Sequence, residues 1–360
     1  MKDSRAVGVV ANPASARDIR RLVAHGSTVT AHQKLNQLRR LLVGLGRTGV
    51  ERVVVMGDRS GIATGLLEGA DRPSGAAWPR VEIVDEDLTG TAADTVNATR
   101  FMVAERVGAI VVLGGDGTNR LVADECGDTP IVAISTGTNN AFPKPLEPTV
   151  AGMAAGLVAT GGLDLDRVAK PAKMLEVSCP ARQRTERALV DVAILNAERV
   201  GSGAIWEPGT VEELYLCFAP PDGIGLSAIG GHLQPVDRHE PIGLAIRLTT
   251  AEGASASDPP TQRVTAPIGP GLIAEINVVS WSKLAVDQTI TATTTSGTVA
   301  IDGERMFRFD SELTVTLRAD GPRVVDVAEA MDLAARTGLL AHAPANGPDP
   351  AQSSPEQTTN

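Results

Sequence analysis

The stretch AIVVLGGDGTNR, residues 109–120, joins an unbroken apolar run to a glycine-rich turn. Apolar runs without polar alternation are typical of strands in a parallel sheet that helices cover on both faces. Leucines spaced three and four apart over residues 30–46 predict an amphipathic helix. The other apolar runs lie at residues 6–11, 52–56, 81–84 and 130–134. The alternation of strands and helices predicts an α/β domain with a Rossmann-like parallel sheet over residues 1–150.

The second half of the chain has a different pattern. From about residue 170, apolar and polar residues alternate, and turns rich in Gly, Pro and Asp separate the segments. Alternation with a period of two is typical of half-buried strands in an antiparallel sheet. We therefore predict a β-rich domain over residues 151–323 and a helix over residues 324–340 that returns to the first domain. Residues 341–360 lack core-forming side chains, which predicts a disordered tail.

The composition argues against several classes of partner. The 360 residues include 33 Lys and Arg against 43 Asp and Glu, a net charge of −10, and only 2% are aromatic. A nucleic-acid-binding protein needs a basic face, so no nucleic-acid partner is expected. The sequence has no apolar run of about 20 residues, so no membrane association is expected. Three scattered cysteines fit neither a disulfide framework nor a metal knuckle, which favours a reduced, cytoplasmic compartment.

The glycine-rich turn contains one carboxylate, Asp116. Glycines let backbone N–H groups approach a phosphate closely, and the helix that follows directs its positive N-terminus to the same place. An Asp inside such an anion-binding loop is unfavourable unless it holds Mg²⁺ or accepts a proton from an attacking hydroxyl. The alternative is a simple strand-ending turn, because Asp-Gly is common there.

A second polar loop, STGTNN at residues 135–140, follows the next predicted strand. Consecutive strands of one parallel sheet end at the same edge, so the two loops are expected to face each other across one crevice. Thr and Asn side chains supply donors and acceptors for phosphate, ribose or base edges. Two such loops that face each other, one of which carries Asp116, favour a nucleotide site over a simple turn.

A GGDGT turn after an apolar strand, followed by a GTxN loop after the next, resembles the ATP-NAD kinase and diacylglycerol kinase superfamily. Within it, the chain is similar to the acetoin catabolism protein X group of NAD kinase-like proteins. The similar segments span most of residues 5–335: VVANPAS (9–15), DRSG (58–61), VVLGGDGTNR (111–120), ISTGTNNAFP (134–143), PDGIGLSAIGGHLQPV (221–236) and IDGER (301–305). The resemblance implies a kinase that uses ATP and Mg²⁺, takes NAD as a phosphoryl acceptor in NADP biosynthesis, and binds the acceptor in the β-rich domain. It also implies a homo-oligomer, since relatives often associate through that domain.

The resemblance also implies roles for individual residues. Asp116 matches the Asp that interacts with the reacting hydroxyl and with metal-bound phosphates, and Glu304 is the rival catalytic base. Asp302, which precedes Glu304 in the same acidic element, is implied as a second metal ligand beside Asp116. Residues implied to contact the nucleotide are Asn12, Gly114, Gly115, Gly117, Thr118, Thr136, Gly137, Thr138, Asn139 and Asn196. Arg120 and Arg17 are candidates for offsetting the developing negative charge.

The chain departs from the pattern of NAD kinases at two places. Ala197 follows Asn196 where they carry Glu, and Gly225–Gly231 replaces a loop rich in Thr, Ser and Tyr that helps to bind NAD. Three functions therefore stay open. The first is an ATP-dependent kinase for NAD, a related nucleotide or a small hydroxylated metabolite. The second is a lipid kinase. The third is a nucleotide-binding accessory or sensor protein of acetoin catabolism with weak or no kinase activity.

Overall fold

A computed structural model describes residues 3–13, 25, 29–68, 78–84, 87–137, 139–196, 208–249 and 262–341. Its first sheet has seven strands. In spatial order they are β3 (Arg80–Val84), β2 (Arg52–Met56), β1 (Asp3–Ala11), β4 (Val107–Gly114), β5 (Ile131–Ser135), β18 (Arg323–Val325) and β6 (Ala169–Pro171). Strands β1 to β5 and β18 pair in parallel, and β6 pairs antiparallel with β18. The parallel sheet predicted for the N-terminal half is confirmed.

Helices cover both faces of this sheet. One face packs on α1 (Ala31–Arg47), α2 (Thr64–Leu67), α5 (Pro148–Ala159), α6 (Leu165–Val168) and α8 (Val327–Arg336). The other packs on α3 (Ala92–Ala104) and α4 (Asp116–Glu125). Side chains of β1 alternate between the two cores: Val7 and Val9 enter the first, Ala6 and Val10 the second. Burial on both faces explains why the sequence of this strand shows no polar alternation.

Two antiparallel sheets form the C-terminal domain. The larger contains β12 (Gln262–Gly269), β13 (Leu272–Ala285), β11 (Ile242–Leu248), β10 (Val211–Leu216), β9 (Asp191–Leu195), β15 (Gly297–Ile301) and β16 (Glu304–Phe309). The smaller contains β14 (Thr289–Thr291), β17 (Thr314–Arg318), β7 (Met174–Cys179) and β8 (Arg184–Ala188). A short helix, α7 (Ser227–Leu233), packs on the outer face of the larger sheet.

One continuous hydrophobic core joins the two domains. Its members include Met102 and Val122 from the helices of the first domain, and Val192, Val177 and Leu317 from the sheets of the second. Because these side chains are buried together, the domains are packed against each other rather than connected by a free linker.

The structure places the crossing between domains later than residue 150. Helix α5 packs against α1 and the first sheet, and β6 is the edge strand of that sheet, so the chain leaves the first domain only after Pro171. The predicted boundary at residue 150 therefore falls inside helix α5, whose Ala- and Gly-rich sequence gives little amphipathic signal. Residues 323–341 return to the first domain, as β18 and α8. The predicted tail lies outside the described residues from position 342 onwards. Within the described ranges, no helix is long and apolar enough to cross a membrane.

Candidate functional site

Three neighbouring strands bring the predicted nucleotide residues to one edge of the first sheet. Strand β4 lies between β1 and β5, so the segments after them are adjacent. Asn12, after β1, donates a hydrogen bond from its side-chain nitrogen to Thr118 Oγ1 at 2.9 Å. The Thr136 N–H, after β5, donates to the Gly114 carbonyl at 3.4 Å. The structure therefore brings Asn12, Gly114, Thr118 and Thr136 together, as the sequence predicted.

Gly115 lies where the two glycine-containing loops approach most closely. A Cβ atom at this position would be 2.8 Å from Asn140 Oδ1, closer than real Cβ contacts allow. Asn140 in turn donates to Ser135 Oγ at 2.8 Å, so it is fixed by its own loop. Gly115 is the N-cap of α4 and leaves the backbone of the turn accessible at the helix N-terminus, where N–H groups favour an anion.

Asp116 is the first residue of α4, and its carboxylate is held by the neighbouring loop. The Phe142 N–H donates to Oδ1 at 2.8 Å, and the Ala141 N–H lies 3.2 and 3.1 Å from Oδ1 and Oδ2. Hydrogen bonds from backbone N–H groups and the helix N-terminus both stabilise the ionised carboxylate. The side chain is partly exposed and lines a cleft, so it is oriented and yet within reach of a ligand.

The cleft lies between the two domains and has about 440 Å³ of open space, including its mouth. The first domain contributes Asp116, Asn139 and Ala141, and the second contributes the segment 224–227 and the turn at residues 302–303. Gly225 has φ +91°, and a Cβ there would lie 4.0 Å from Asn139 Oδ1. The segment that departs from the NAD kinase pattern thus forms the wall opposite Asn139.

Ser227 is a polar residue of this wall that the sequence analysis did not single out. It is 1% exposed, lines the cleft, and its Oγ has no hydrogen-bond partner among the described residues. A buried hydroxyl without a partner is unfavourable, and a ligand in the cleft can satisfy it.

Asp302 belongs to the lining of the cleft, but its side chain is almost fully buried. Its side chain is 1% exposed and accepts N–H groups from Leu189, Val190 and Asp191 at 3.3, 2.8 and 3.3 Å. Arg120 Nε lies 3.6 Å from Asp302 Oδ2, an ion-pair distance that is too long for a hydrogen bond. Arg120 therefore faces Asp302, and not an incoming phosphate. Metal binding by Asp302 stays a prediction, and it requires the ion to compete with three backbone donors.

The pH dependence of stability tests this environment. Burial raises the pKa of Asp302 to about 7, the negative charge of Asp116 adds to the rise, and Arg120 opposes it. A carboxyl group with a raised pKa in the folded state stabilises the fold most at low pH, and its contribution is lost as pH rises through that pKa. We expect the free energy of unfolding of the wild type to fall, relative to Asp302→Asn, between about pH 4 and 8. Urea unfolding across this range measures the difference, and parallel pH profiles for the two proteins would contradict the assignment.

Glu304 begins β16 and lies over the start of α4. Its carboxylate oxygens are 3.8 and 3.9 Å from the position that a Cβ on Gly117 would occupy. The structure therefore brings both predicted acids, Asp116 and Glu304, to the N-terminus of the same helix. Glu304 is exposed, whereas Asp116 lines the cleft. A base role for Glu304 stays a prediction.

The remaining predicted contacts are less central or lie outside the described residues. Gly137 is in the loop after β5, where Ser135 Oγ donates to its carbonyl at 2.8 Å. Asn196 follows β9, is exposed, and donates its backbone N–H to Thr210 O at 3.1 Å. Thr138 and Arg17 lie outside the described residues.

Lys34 is a further residue at this edge, and the sequence contained a signal for it. Its side chain is 1% exposed, and Nζ donates to the carbonyls of Asn12 and Pro13 at 2.7 and 3.3 Å. Lys34 precedes Leu38 by four residues and Leu41 by seven, so it occupies the apolar face of α1. A charged residue in an apolar stripe indicates a buried polar contact, which here fixes the loop that carries Asn12.

The donor set fits a nucleotide better than a metal ion bound by protein alone. Backbone groups at the start of α4, the Asn12 amide and the Thr118 hydroxyl suit phosphate oxygens. No cluster of three His, Cys, Asp or Glu able to hold a metal occurs within the described part of the chain. Mg²⁺ is commonly bound by one or two carboxylates together with substrate phosphates, and Asp116 fits that arrangement.

Comparisons with known proteins find a match for each of the two domains. Residues 7–162 match the ATP-NAD kinase N-terminal domain, and residues 173–321 match the acetoin catabolism protein X C-terminal domain. Together these matches define a class of two-domain protein whose first domain is NAD kinase-like. Acetoin catabolism protein X of Cupriavidus necator is 41% identical over 345 residues, which cover 94% of each chain. The chain belongs to the acetoin catabolism protein X family.

Two solved structures are similar over most of the chain. Yeast NADH kinase, crystallised with NADH, has 16% identity and a TM-score of 0.44, covering 95% of this chain and 90% of its own. A candidate diacylglycerol kinase from Bacillus anthracis has 13% identity and a TM-score of 0.49. The match covers 89% of this chain and 97% of that protein.

Proposed function

We propose that the chain transfers the γ-phosphoryl group of ATP to a hydroxyl group of NAD, a related nucleotide or a small hydroxylated metabolite. The observation that supports this most is the position of Asp116. It stands at the N-terminus of α4, is oriented by two backbone N–H groups, and lines the cleft between the domains. Phosphoryl transfer depends mainly on positioning and on neutralising charge, and this arrangement supplies the positioning, while the N-terminus of α4 favours the phosphate anion.

Each part of the site has a role in this proposal. The turn at residues 114–118, with Asn12 and the loop at residues 136–139, binds the phosphates and ribose of ATP. Asp116 accepts the proton of the acceptor hydroxyl, or orients that hydroxyl, as the oxygen attacks the γ-phosphorus. Mg²⁺ bound by Asp116 and the phosphates would neutralise part of the phosphate charge. Arg120 has no direct role, because it is buried against Asp302.

The cleft wall of the second domain has apolar side chains where NAD kinases carry the polar loop that helps to bind NAD, which favours a small hydroxylated metabolite over NAD as the acceptor. Ile224, Leu226 and Ile268 line it beside Ser227. Most of the divergent segment, from Ser227 to Gly231, lies in the short helix α7, which packs on the larger sheet and is not a polar loop. A packed helix in the place of an acceptor-binding loop also favours the second candidate, which is a nucleotide-binding accessory or sensor protein with weak or no turnover.

Acceptor-dependent ADP release separates the two candidates. The purified chain is incubated with ATP and Mg²⁺, and separately with NAD, NADH, nucleosides or short-chain polyols, and the phosphorylated product is identified by ³¹P NMR. The kinase proposal predicts ADP release that requires one of these acceptors. Calorimetry that shows ATP binding, with no acceptor-dependent release for any of them, would replace it with the sensor.

A further inference from the structure

Arg238 crosses from the second domain to the loop that holds Asp116. It lies between α7 and β11, and its guanidinium carbon is 4.6 Å from the centroid of the Phe142 ring and 4.7 Å from that of Phe218. Phe142 belongs to the first domain and Phe218 to the second, so the cation is held between rings from both. Because a guanidinium can stack on aromatic faces while it donates hydrogen bonds, the two rings restrict its position between the domains.

The guanidinium and Asp116 bind opposite ends of one peptide group. Arg238 Nη2 donates to the Ala141 carbonyl at 3.2 Å and to the Phe142 carbonyl at 2.7 Å. The peptide that contains the Ala141 carbonyl also contains the Phe142 N–H, which donates to Asp116 Oδ1 at 2.8 Å. Hydrogen bonds in such a chain polarise one another and strengthen the whole series.

We propose that Arg238 is a positioning residue: it fixes the Ala141–Phe142 peptide so that the Asp116 carboxylate is held in the orientation needed for the acceptor hydroxyl. The inference rests on the phosphoryl transfer proposed above. It adds that a residue of the second domain sets the geometry of the first, so the docking of the domains and the orientation of the base are coupled.

The electrostatics of Arg238 agree with this role. Burial lowers its pKa, and the negative charges of Asp116 and Asp237 oppose that shift. Burying a cation is costly unless hydrogen bonds and an opposite charge compensate it. The hydrogen bonds come from the carbonyls of residues 141–142, and the opposite charge comes from Asp116, which that loop holds, and from Asp237.

The test replaces Arg238 with Met, which keeps the stacking bulk and loses the donors, and with Lys, which keeps the charge and loses the planar fork. We expect Arg238→Met to lower kcat by about 10²-fold with little change in KM for ATP, because a shift of about 1 Å in a reacting group costs that much. Arg238→Lys is expected to recover part of the loss. The matched control is Arg184→Met, since Arg184 stacks on Phe307 at 4.3 Å and bonds Glu186. Its kcat is expected to stay within about twofold of the wild type.

A double variant separates positioning from a general loss of structure. If Arg238 acts through Asp116, then Arg238→Met made in an Asp116→Asn background lowers kcat much less than it does in the wild type. Equal losses in both backgrounds, or a kcat per folded molecule unchanged in Arg238→Met, would overturn the proposal.

A second measurement does not depend on turnover. Hydrogen exchange of the Phe142 N–H is expected to be at least about 10-fold faster in Arg238→Met, and unchanged in Arg184→Met, since removing Arg238 frees one end of the bridged peptide. Faster exchange in a protein that transfers no phosphate would uphold the positioning of Asp116 and reject the proposed function. Unchanged exchange would reject the positioning itself.

Discussion

Replacing Asp116 with Asn is expected to lower kcat by about 10²–10⁴-fold, the usual contribution of a positioned general base. The amide cannot accept the proton of the acceptor hydroxyl, yet it has nearly the size of the carboxylate. Steady-state kinetics with the acceptor identified by ³¹P NMR measure the loss. Calorimetric titration with ATP shows whether nucleotide binding is retained, which is expected because Asn12 and Thr118 are untouched.

The hydrogen bonds of Asp116 predict only a small change in stability. Oδ1 is within reach of both the Ala141 and Phe142 N–H groups, so the Asn carbonyl oxygen can accept from both, and the 3.1 Å contact from the Ala141 N–H to Oδ2 is lost. We expect the free energy of unfolding to fall by about 1 kcal/mol. The control is Asp128→Asn, since Asp128 is exposed in the turn that follows α4. Near-normal turnover in Asp116→Asn would remove this residue as the base and leave Glu304 to be tested in the same way.

Replacing Asp302 with Ala is expected to lower the free energy of unfolding by about 3–5 kcal/mol. The change leaves three backbone N–H groups without their acceptor and leaves Arg120, whose side chain is 9% exposed, without its counter-charge. Urea unfolding followed by circular dichroism measures the loss. The matched control is Asp310→Ala, because Asp310 is 77% exposed and pairs with Arg182 on the surface, where such pairs contribute about 0–1 kcal/mol.

The same variant tests whether Asp302 binds Mg²⁺, which is the role that the family resemblance implies. If Asp302 is a buried structural carboxylate, Asp302→Ala is expected to lower stability. The Mg²⁺ concentration needed for half-maximal turnover is then expected to stay nearly constant. The converse result, full stability with a large increase in the Mg²⁺ requirement, would make Asp302 the metal ligand. Adding Arg120→Met to Asp302→Ala is expected to recover part of the stability, since it removes the buried charge left alone.

Local sequence patterns are sufficient to predict the parallel sheet and the edge of it where the candidate nucleotide-binding residues lie. The strands ending at Ala11, Gly114 and Ser135 are buried on both faces, so each is visible as a continuous apolar run. The polar residues after them are adjacent because parallel strands end at one edge. Helix α5 gives no such signal, because its sequence, PTVAGMAAGLVA, has no polar face to reveal its period.

The sequence by itself determined the doubly covered parallel sheet, the antiparallel second domain and the turn that carries Asp116, because each depends on periodicity or on residues adjacent in the chain. Only the tertiary structure decided which charges act together. Asp302 and Arg120 are 182 positions apart and bury each other, and Arg238 reaches Asp116 through a peptide group of another domain. Such pairs form when two domains pack and exclude water, and their strength depends on that burial, so no local pattern records them.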